Sequence, residues 1–352
     1  MKTSGRTRAA RVFGLTALLA SVAFATGCKK PREATPPPGP GVTGPSTTGP
    51  EAPPSATPAG RKWKIGFSQC TTSEPWRVLF DDLLRKEAEK HADECEVIFQ
   101  DAQDRTEEQV AQMEAFINQK VDAILISPKE SAGLTDVVKR ATAAGIPVIV
   151  LDRDVDTDEY ACFIGGDNTE IGREAGKYAV ELLGGEGNAR GKIYEIWGGM
   201  GSTPAQQRHA GFAEVVEKEP GITLVGKQDG DWKQDKGYDI METALKSHKD
   251  IDVVYAHNDP MAYGAYLAAK DAGREKEIKF IGIDGIPDEG CKWVKEGKLA
   301  GTFVYPPPGA DGLRVALDIL NGRAPEKKRI LLPTRRITKE TVDEYLKEKG
   351  IL

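Results

Sequence analysis

Histidine and cysteine are scarce in this chain. Its four histidines, at positions 91, 209, 248 and 257, show no metal-ligand spacing, and no pair of them is close. Beyond Cys28 the cysteines lie at 70, 95, 162 and 291, again without ligand spacing. An exported chain could pair these four in any of three ways, but a body of this size needs no covalent staples. No function is expected of them. The common enzyme signatures are missing too. No G-x-G-x-x-G follows the first strand-like run, and G-x-S-x-G does not occur. The stretch GGEGNARGKI at 184–193 has the wrong spacing before Gly191-Lys192 and carries Ile193 where a phosphate loop needs Ser or Thr. It also precedes a strand-like run instead of following one. Long apolar runs are absent, apart from Val12 to Phe24 behind the basic residues Lys2, Arg6, Arg8 and Arg11. That run is too short to anchor stably in a bilayer and reads as an export signal, here residues 1–28.

The signal ends in Ala25-Thr26-Gly27-Cys28, which is like a bacterial lipobox with Ala25 where leucine is commoner. Cys28 is the expected site of lipidation; the alternative is ordinary cleavage near Ala25 or Gly27. A linker, residues 29–61, follows. Its positions 31–60 hold ten prolines and nothing that could bury apolar surface. Such a spacer is extended or disordered and reaches at most about 90 Å at ~3.1 Å per residue, as a tether requires. Residues 1–60 carry seven basic and two acidic side chains, which leaves 41 basic against 52 acidic on the body. A body that acidic argues against nucleic acid as its partner.

From about residue 61 onward, short continuous apolar runs alternate with helical patterns. KIGFS (64–68), VIF (97–99), DAILIS (122–127), PVIVLD (147–152) and CFIGGD (162–167) read as strands buried on both faces. KIYEIW (192–197), TLVG (223–226), DVVYA (252–256), KFIGID (279–284) and GTFVY (301–305) continue the series. One intervening helix is TEEQVAQMEAFINQ, with Val110, Met113, Phe116 and Ile117 on one face and Thr106 with Gln109 as a capping box. Unbroken apolar strands alternating with helices mean parallel sheets covered on both sides. Ten strands exceed one small sheet, so two doubly wound α/β lobes are expected.

Ligands of open parallel sheets sit at the carboxyl ends of the strands. Almost every strand exit here carries a polar or aromatic group. The first half offers Glu74, Trp76, Arg77, Asp152 and Arg153; the second offers Arg208, Trp232, Asn258, Asp284 and Tyr305. Flat aromatic faces suit the C–H surface of a sugar, and carboxylate, guanidinium and amide groups suit its hydroxyls. Trp76 and Trp232 would be platforms from the two lobes. Asp152, Asp284 and Asn258 would accept hydrogen bonds; Arg153, Arg208 and Asn258 would donate them. Taken singly, Asp152-Arg153 could be a surface ion pair, Asp284 a turn residue and Trp232 a packing plug. GGMGSTPAQQR (198–208) reads as a tight turn that brings its helix toward the ligand, with a phosphate cradle as the alternative.

GFSQCTTSEPW, AILISP, GIPVIVLDRDVD, GGDN, QQRHAGF, HNDPMAYGA and GIDGIPDEG occur in that order. Together they resemble the periplasmic sugar-binding proteins of ABC importers, of the ribose/galactose-binding kind, over roughly residues 63 to 345. The resemblance implies a type I periplasmic-binding-protein fold with no cofactor and no metal, a monomer binding a sugar without turnover. Lobes of 62–166 with 305–333 and of 167–304 with 334–352 would be joined by three crossings. It implies an aromatic sandwich from Trp76 and Trp232, and an acid–arginine pair from Asp152 and Arg153. Asn258 and Asp284 would reach in from the second lobe, and Glu74 would be the polar ligand residue before the aromatic. Three positions depart from ribose binders: Arg77 stands for a second aromatic, Gln206 for an arginine, and Tyr305 for a glutamine. They point away from ribose and toward another pentose, a furanose form or a polyol. The lack of a helix-turn-helix, with the export signal, removes the related repressors. The implied protein is lipid-anchored in the periplasm and works with ABC permease subunits. A sensory version signalling to a membrane kinase or chemoreceptor shares the pattern, and an exported carbohydrate enzyme using Asp152 and Asp284 is the remaining alternative.

Overall fold

A computed structural model describes residues 61–352; the export signal, Cys28 and the proline-rich segment before Arg61 lie outside them. From Trp63 the chain alternates β1 (Trp63–Gln69), α1 (Pro75–Lys90), β2 (Cys95–Asp101), α2 (Thr106–Gln119), β3 (Ala123–Ser127), α3 (Ser131–Ala143), β4 (Val148–Leu151) and β5 (Cys162–Gly166). It continues through α4 (Asn168–Leu182), β6 (Gly191–Trp197), α5 (Thr203–Val216), β7 (Ile222–Asp229), α6 (Gln234–Ser247), β8 (Val253–Ala256), α7 (Asp259–Asp271) and β9 (Lys279–Ile281). After a π-helical turn at Pro287–Cys291 come α8 (Lys292–Lys295), β10 (Gly301–Phe303), α9 (Gly309–Leu320), β11 (Arg329–Leu332), β12 (Arg336–Thr338) and α10 (Val342–Glu348).

These strands form two sheets, ordered β11-β5-β4-β3-β1-β2 and β12-β10-β9-β8-β6-β7. Every pair is parallel except β10 with β12. The two doubly wound lobes expected from strand–helix alternation are thus present. Among the described residues the chain passes between the sheets after β5, after β10 and after β11. β11 and β12 were not anticipated: RILL is half exposed at a sheet edge and RIT is only three residues long. Edge strands also soften the expectation of burial on both faces, since β2 and β7 are largely half-buried or exposed whereas β3 and β4 are buried throughout.

One apolar cluster runs from Phe67, Leu125 and Ile164 in the first sheet to Tyr255, Ile281 and Phe303 in the second. Two further clusters lie under α2 and α3 in the first lobe and under α6 and α7 in the second. Each fully buried Phe or Leu contributes roughly 1.5–3 kcal/mol relative to exposure. α2 packs Met113 and Phe116 inward, but its N-cap is Arg105 and no side chain caps it. The capping box is therefore not made. Gln109 is instead buried, donating to the Ser68 and Ser127 carbonyls and accepting from the Lys129 amide. Satisfying strand-end backbone in a dry interior outweighs a cap that water can replace. Cys70, Cys95, Cys162 and Cys291 are free and buried. No helix among the described residues is long and apolar enough to cross a membrane.

Candidate ligand-binding site

Strand exits from both lobes converge on one small cavity. Glu74, Pro75, Trp76 and Arg77 after β1, Asp152 and Arg153 after β4, and Tyr305 after β10 form part of its wall. Pro204 and Arg208 of α5, Trp232, Asn258, Pro260 and Asp284 complete it.

Gln206 departs from expectation. It is exposed on α5 and donates to the Met200 carbonyl at 3.1 Å. The inward stripe of α5 is Pro204, Arg208, Gly211 and Phe212, one face of a 3.6-residue period, and Gln206 lies two positions off it. Arg208 supplies the guanidinium instead. It is buried, donates from Nε to Asn168 Oδ1 at 2.9 Å and from Nη1 to the His257 carbonyl, and lies over the Tyr305 ring at 4.4 Å.

Asp152 and Arg153 both line the cavity. Asp152 is held mainly by Arg77, whose Nη2 is 2.7 Å away, while Arg153 Nε is 3.8 Å away. The Tyr305 hydroxyl donates to the other Asp152 oxygen at 2.6 Å. Burial pushes the Asp152 carboxyl up, and the nearby Arg77 and Arg153 guanidiniums reverse that and hold it below its ordinary value. Arg77 also donates to Ser127 Oγ at 2.8 Å. Arg77 is therefore a wall brace. Arg153 donates to the Lys129 carbonyl at 3.0 Å and lies 5.4 Å over the Trp232 ring.

Both tryptophans line the cavity, and each is only 6% exposed. Trp76 is fixed by an Nε1 bond of 2.8 Å to the Tyr305 carbonyl and by stacking on the Tyr305 ring at 5.1 Å. Trp232 lies flat on the chain at Gly198, where a Cβ would sit 2.3 Å from the indole. Only glycine permits that approach. GGMG thus serves the aromatic as well as the turn. Trp232 itself is left-handed (φ 66°), as are Asp231 (47°) and Asp152 (64°). Such strain is retained where the surroundings over-determine it, commonly at ligand sites.

Asn258 caps α7 by accepting from the Met261 amide at 3.0 Å and donates to the Trp232 carbonyl at 2.9 Å. It therefore positions the aromatic as well as facing the cavity. Asp284 has φ 137° and, among the described residues, no hydrogen-bond donor to its carboxyl oxygens within the chain. Burial and the neighbouring Asp259 raise its pKa well above the ordinary carboxyl value. Asp259, itself pushed up to about 7 by burial, accepts from the Gly285 amide at 2.9 Å and the Thr302 hydroxyl at 2.8 Å. It anchors the turn that aims Asp284. Burial likewise raises Glu74, against the opposing pull of Arg77.

Beneath Arg208, Glu195 binds His257 Nε2 at 3.0 Å and His209 Nδ1 at 2.9 Å, with Trp197 stacked on the His257 imidazole and tilted against that of His209. Burial raises Glu195, and the two histidines more than reverse this, to about 2. This network fixes the His257 carbonyl that receives Arg208. Asn168, Asp259 and Glu195 were not among the expected site residues. Asn168 and Asp259 stand at strand exits and were open to that rule, whereas Glu195 lies inside β6, behind the wall, and leaves no local mark.

The family model described as the periplasmic binding protein domain matches residues 65–324. The chain belongs to that family. It is 33% identical over 278 residues to the ribose import binding protein of Bacillus subtilis, covering 78% of this chain and 88% of that relative. It is 32% identical over 297 residues to the galactofuranose-binding protein of Escherichia coli, covering 82% and 92%. Among solved structures, the fructose-binding periplasmic domain of a hybrid two-component system is similar at 38% identity. It has a TM-score of 0.78 and covers 82% of this chain and 94% of that one. These family members are binding proteins by name.

Proposed function

We propose that this chain is the ligand-binding receptor of an ABC importer, taking up one monosaccharide or polyol by hinge closure. The observation that carries the reading is the cavity itself. Trp76 and Trp232 enter it from opposite lobes, and Asp284 meets it with no hydrogen-bond donor to its carboxyl among the described residues. A sugar would lie against the indoles and give its hydroxyls to Asp284 and Glu74, while Arg153 and Arg208 donate to its oxygens. Contacts from both lobes are complete only when the lobes are together, so binding shifts the population toward closure. In this reading 62–166 with 305–333 turn against 167–304 with 334–352. Arg77 and Tyr305 occupy Asp152, which narrows the cavity and favours a furanose or a polyol over ribose. The galactofuranose-binding relative is consistent with that choice.

Binding proceeds without turnover, because Asp152 has its oxygens engaged and is not free to pair with Asp284 as acid and base. The permease would read the rims near residues 76–92 and 204–218, where Val78 is 47% exposed. A sensory role is the second reading, favoured by the likeness to the two-component fructose-binding domain.

A thermal-shift screen of D-fructose, L-arabinose, D-galactose, D-ribose and myo-inositol tests the ligand class. A sugar at 100 times its dissociation constant stabilises by about 2.7 kcal/mol; no shift with any of them would remove the reading. Periplasmic anchoring through Cys28 is part of the same proposal. Cys28→Ser is expected to release the protein from the membrane fraction, and continued sedimentation with membranes would contradict it.

A further inference from the structure

Outside the sugar cavity, four charged side chains close a ring across the cleft. Lys129, after β3, reaches Asp104 of its own lobe at 2.5 Å and Asp231 of the second lobe at 3.3 Å. Lys233, in the second lobe, reaches Asp231 at 2.9 Å and crosses back to Asp104 at 3.1 Å. The signs alternate around the ring, and two of its four links join the lobes. Lys236 adds a further contact to Asp231 at 3.0 Å. Burial pushes the Asp104 and Asp231 carboxyls up, and the lysines more than reverse it, holding both below their ordinary values. Hydrogen bonding to Asp231 in turn raises Lys233.

The ring is built on constrained backbone. Asp104 (φ 65°) and Asp231 (φ 47°) both sit in the left-handed region, and Asp231 directly precedes Trp232. A charge at 231 held by the opposite lobe therefore also holds the loop that presents the indole. Elsewhere along the cleft the lobes meet through uncharged hydrogen bonds, Ser131 N to the Gly201 carbonyl at 3.1 Å and Asp154 N to Thr203 Oγ1 at 2.8 Å. None of the four ring residues lines the sugar cavity.

We propose that Asp104, Lys129, Asp231 and Lys233 are positioning residues. By joining the lobes across the cleft mouth they set how far the receptor closes, and how slowly it releases its ligand, without touching that ligand. The proposal rests on the hinge reading above. Exposed pairs contribute little singly, and here two cross-lobe pairs act together. Their loss should lower the closed-to-open ratio by about two- to thirtyfold. Because the side chains are partly exposed, the effect is salt-sensitive: the screening length falls from ~30 Å at 0.01 M to ~3 Å at 1 M.

The test is small-angle X-ray scattering of the ligand-free protein in 10 mM and 1 M NaCl, with circular dichroism to check folding. The wild type is expected to expand as salt rises. Asp231→Lys is expected to be expanded already at 10 mM. Adding Lys129→Glu to it restores attraction between the lobes and should return the compact form at low salt, a rescue that a merely structural role would not give. Lys233→Glu provides a second single variant. A wild-type radius independent of salt overturns the proposal, as does a single variant as compact as wild type, or a double variant that stays expanded. If D-fructose or another sugar from the screen compacts the protein while the ring variants behave like wild type, hinge closure stands and the ring's role falls.

Discussion

Trp232→Ala is expected to weaken sugar binding by about 1–3 kcal/mol, roughly five- to 150-fold in Kd. The indole lines the cavity and also belongs to the second lobe's apolar cluster. Its flat side rests on the Gly198 backbone, and Arg153 and Arg208 each lie 5.4 Å from the ring. Removing it takes away the second lobe's apolar surface for a sugar and leaves two guanidiniums without the ring they cover. Trp232→Phe keeps a platform and should lose less. Gly198→Ala should move in the same direction as the alanine variant, because the new Cβ would lift the indole off its seat. Trp76→Ala removes the facing platform, with a loss of similar size. Titration calorimetry measures all four, with circular dichroism to confirm folding. Unchanged affinity in Trp232→Ala would refute the aromatic clasp.

Arg77→Met is expected to lower the free energy of unfolding by about 3–5 kcal/mol at pH 7, the usual result of stripping one partner from a buried ion pair. Arg77 and Asp152 are 3% and 2% exposed, so water cannot replace the lost guanidinium. The pH dependence carries the sign. In the wild type the Asp152 pKa is depressed, so its stabilisation is present above the ordinary carboxyl range and is lost as pH falls through the folded value. Without Arg77 the same carboxyl is lifted by burial, and protonation relieves the penalty. The deficit of Arg77→Met should therefore be largest near neutrality and shrink toward pH 4. Urea unfolding at pH 7 and pH 4.5 measures it. A deficit that does not depend on pH would mean that Asp152 is not the group left unpaired.

Much of this architecture is readable in the chain because parallel sheets leave two plain marks. Buried strands such as AILIS and VIVL are unbroken apolar runs, and whatever follows them lies at the ligand end of the sheet. Those marks found the cavity wall from Glu74 to Tyr305. They fail at β11 and β12, where edge positions are half exposed and the pattern dissolves. Pairing was the other blind spot. Asp152 and Arg153 are neighbours in sequence, yet the left-handed turn at Asp152 sends its carboxyl to Arg77, on another element. Gln206 was judged by its place in a motif, but helical period decided for Arg208. The ring of Asp104, Lys129, Asp231 and Lys233 depends on how two lobes meet, which no local pattern encodes.

The most direct measurement is a crystal structure of the protein grown with the sugar that ranks first in the thermal-shift screen. The sugar is expected between Trp76 and Trp232, with a hydroxyl on Asp284 and the Arg153 and Arg208 guanidiniums at its oxygens. Finding it in a surface groove, or finding the two indoles turned away from it, would contradict the account.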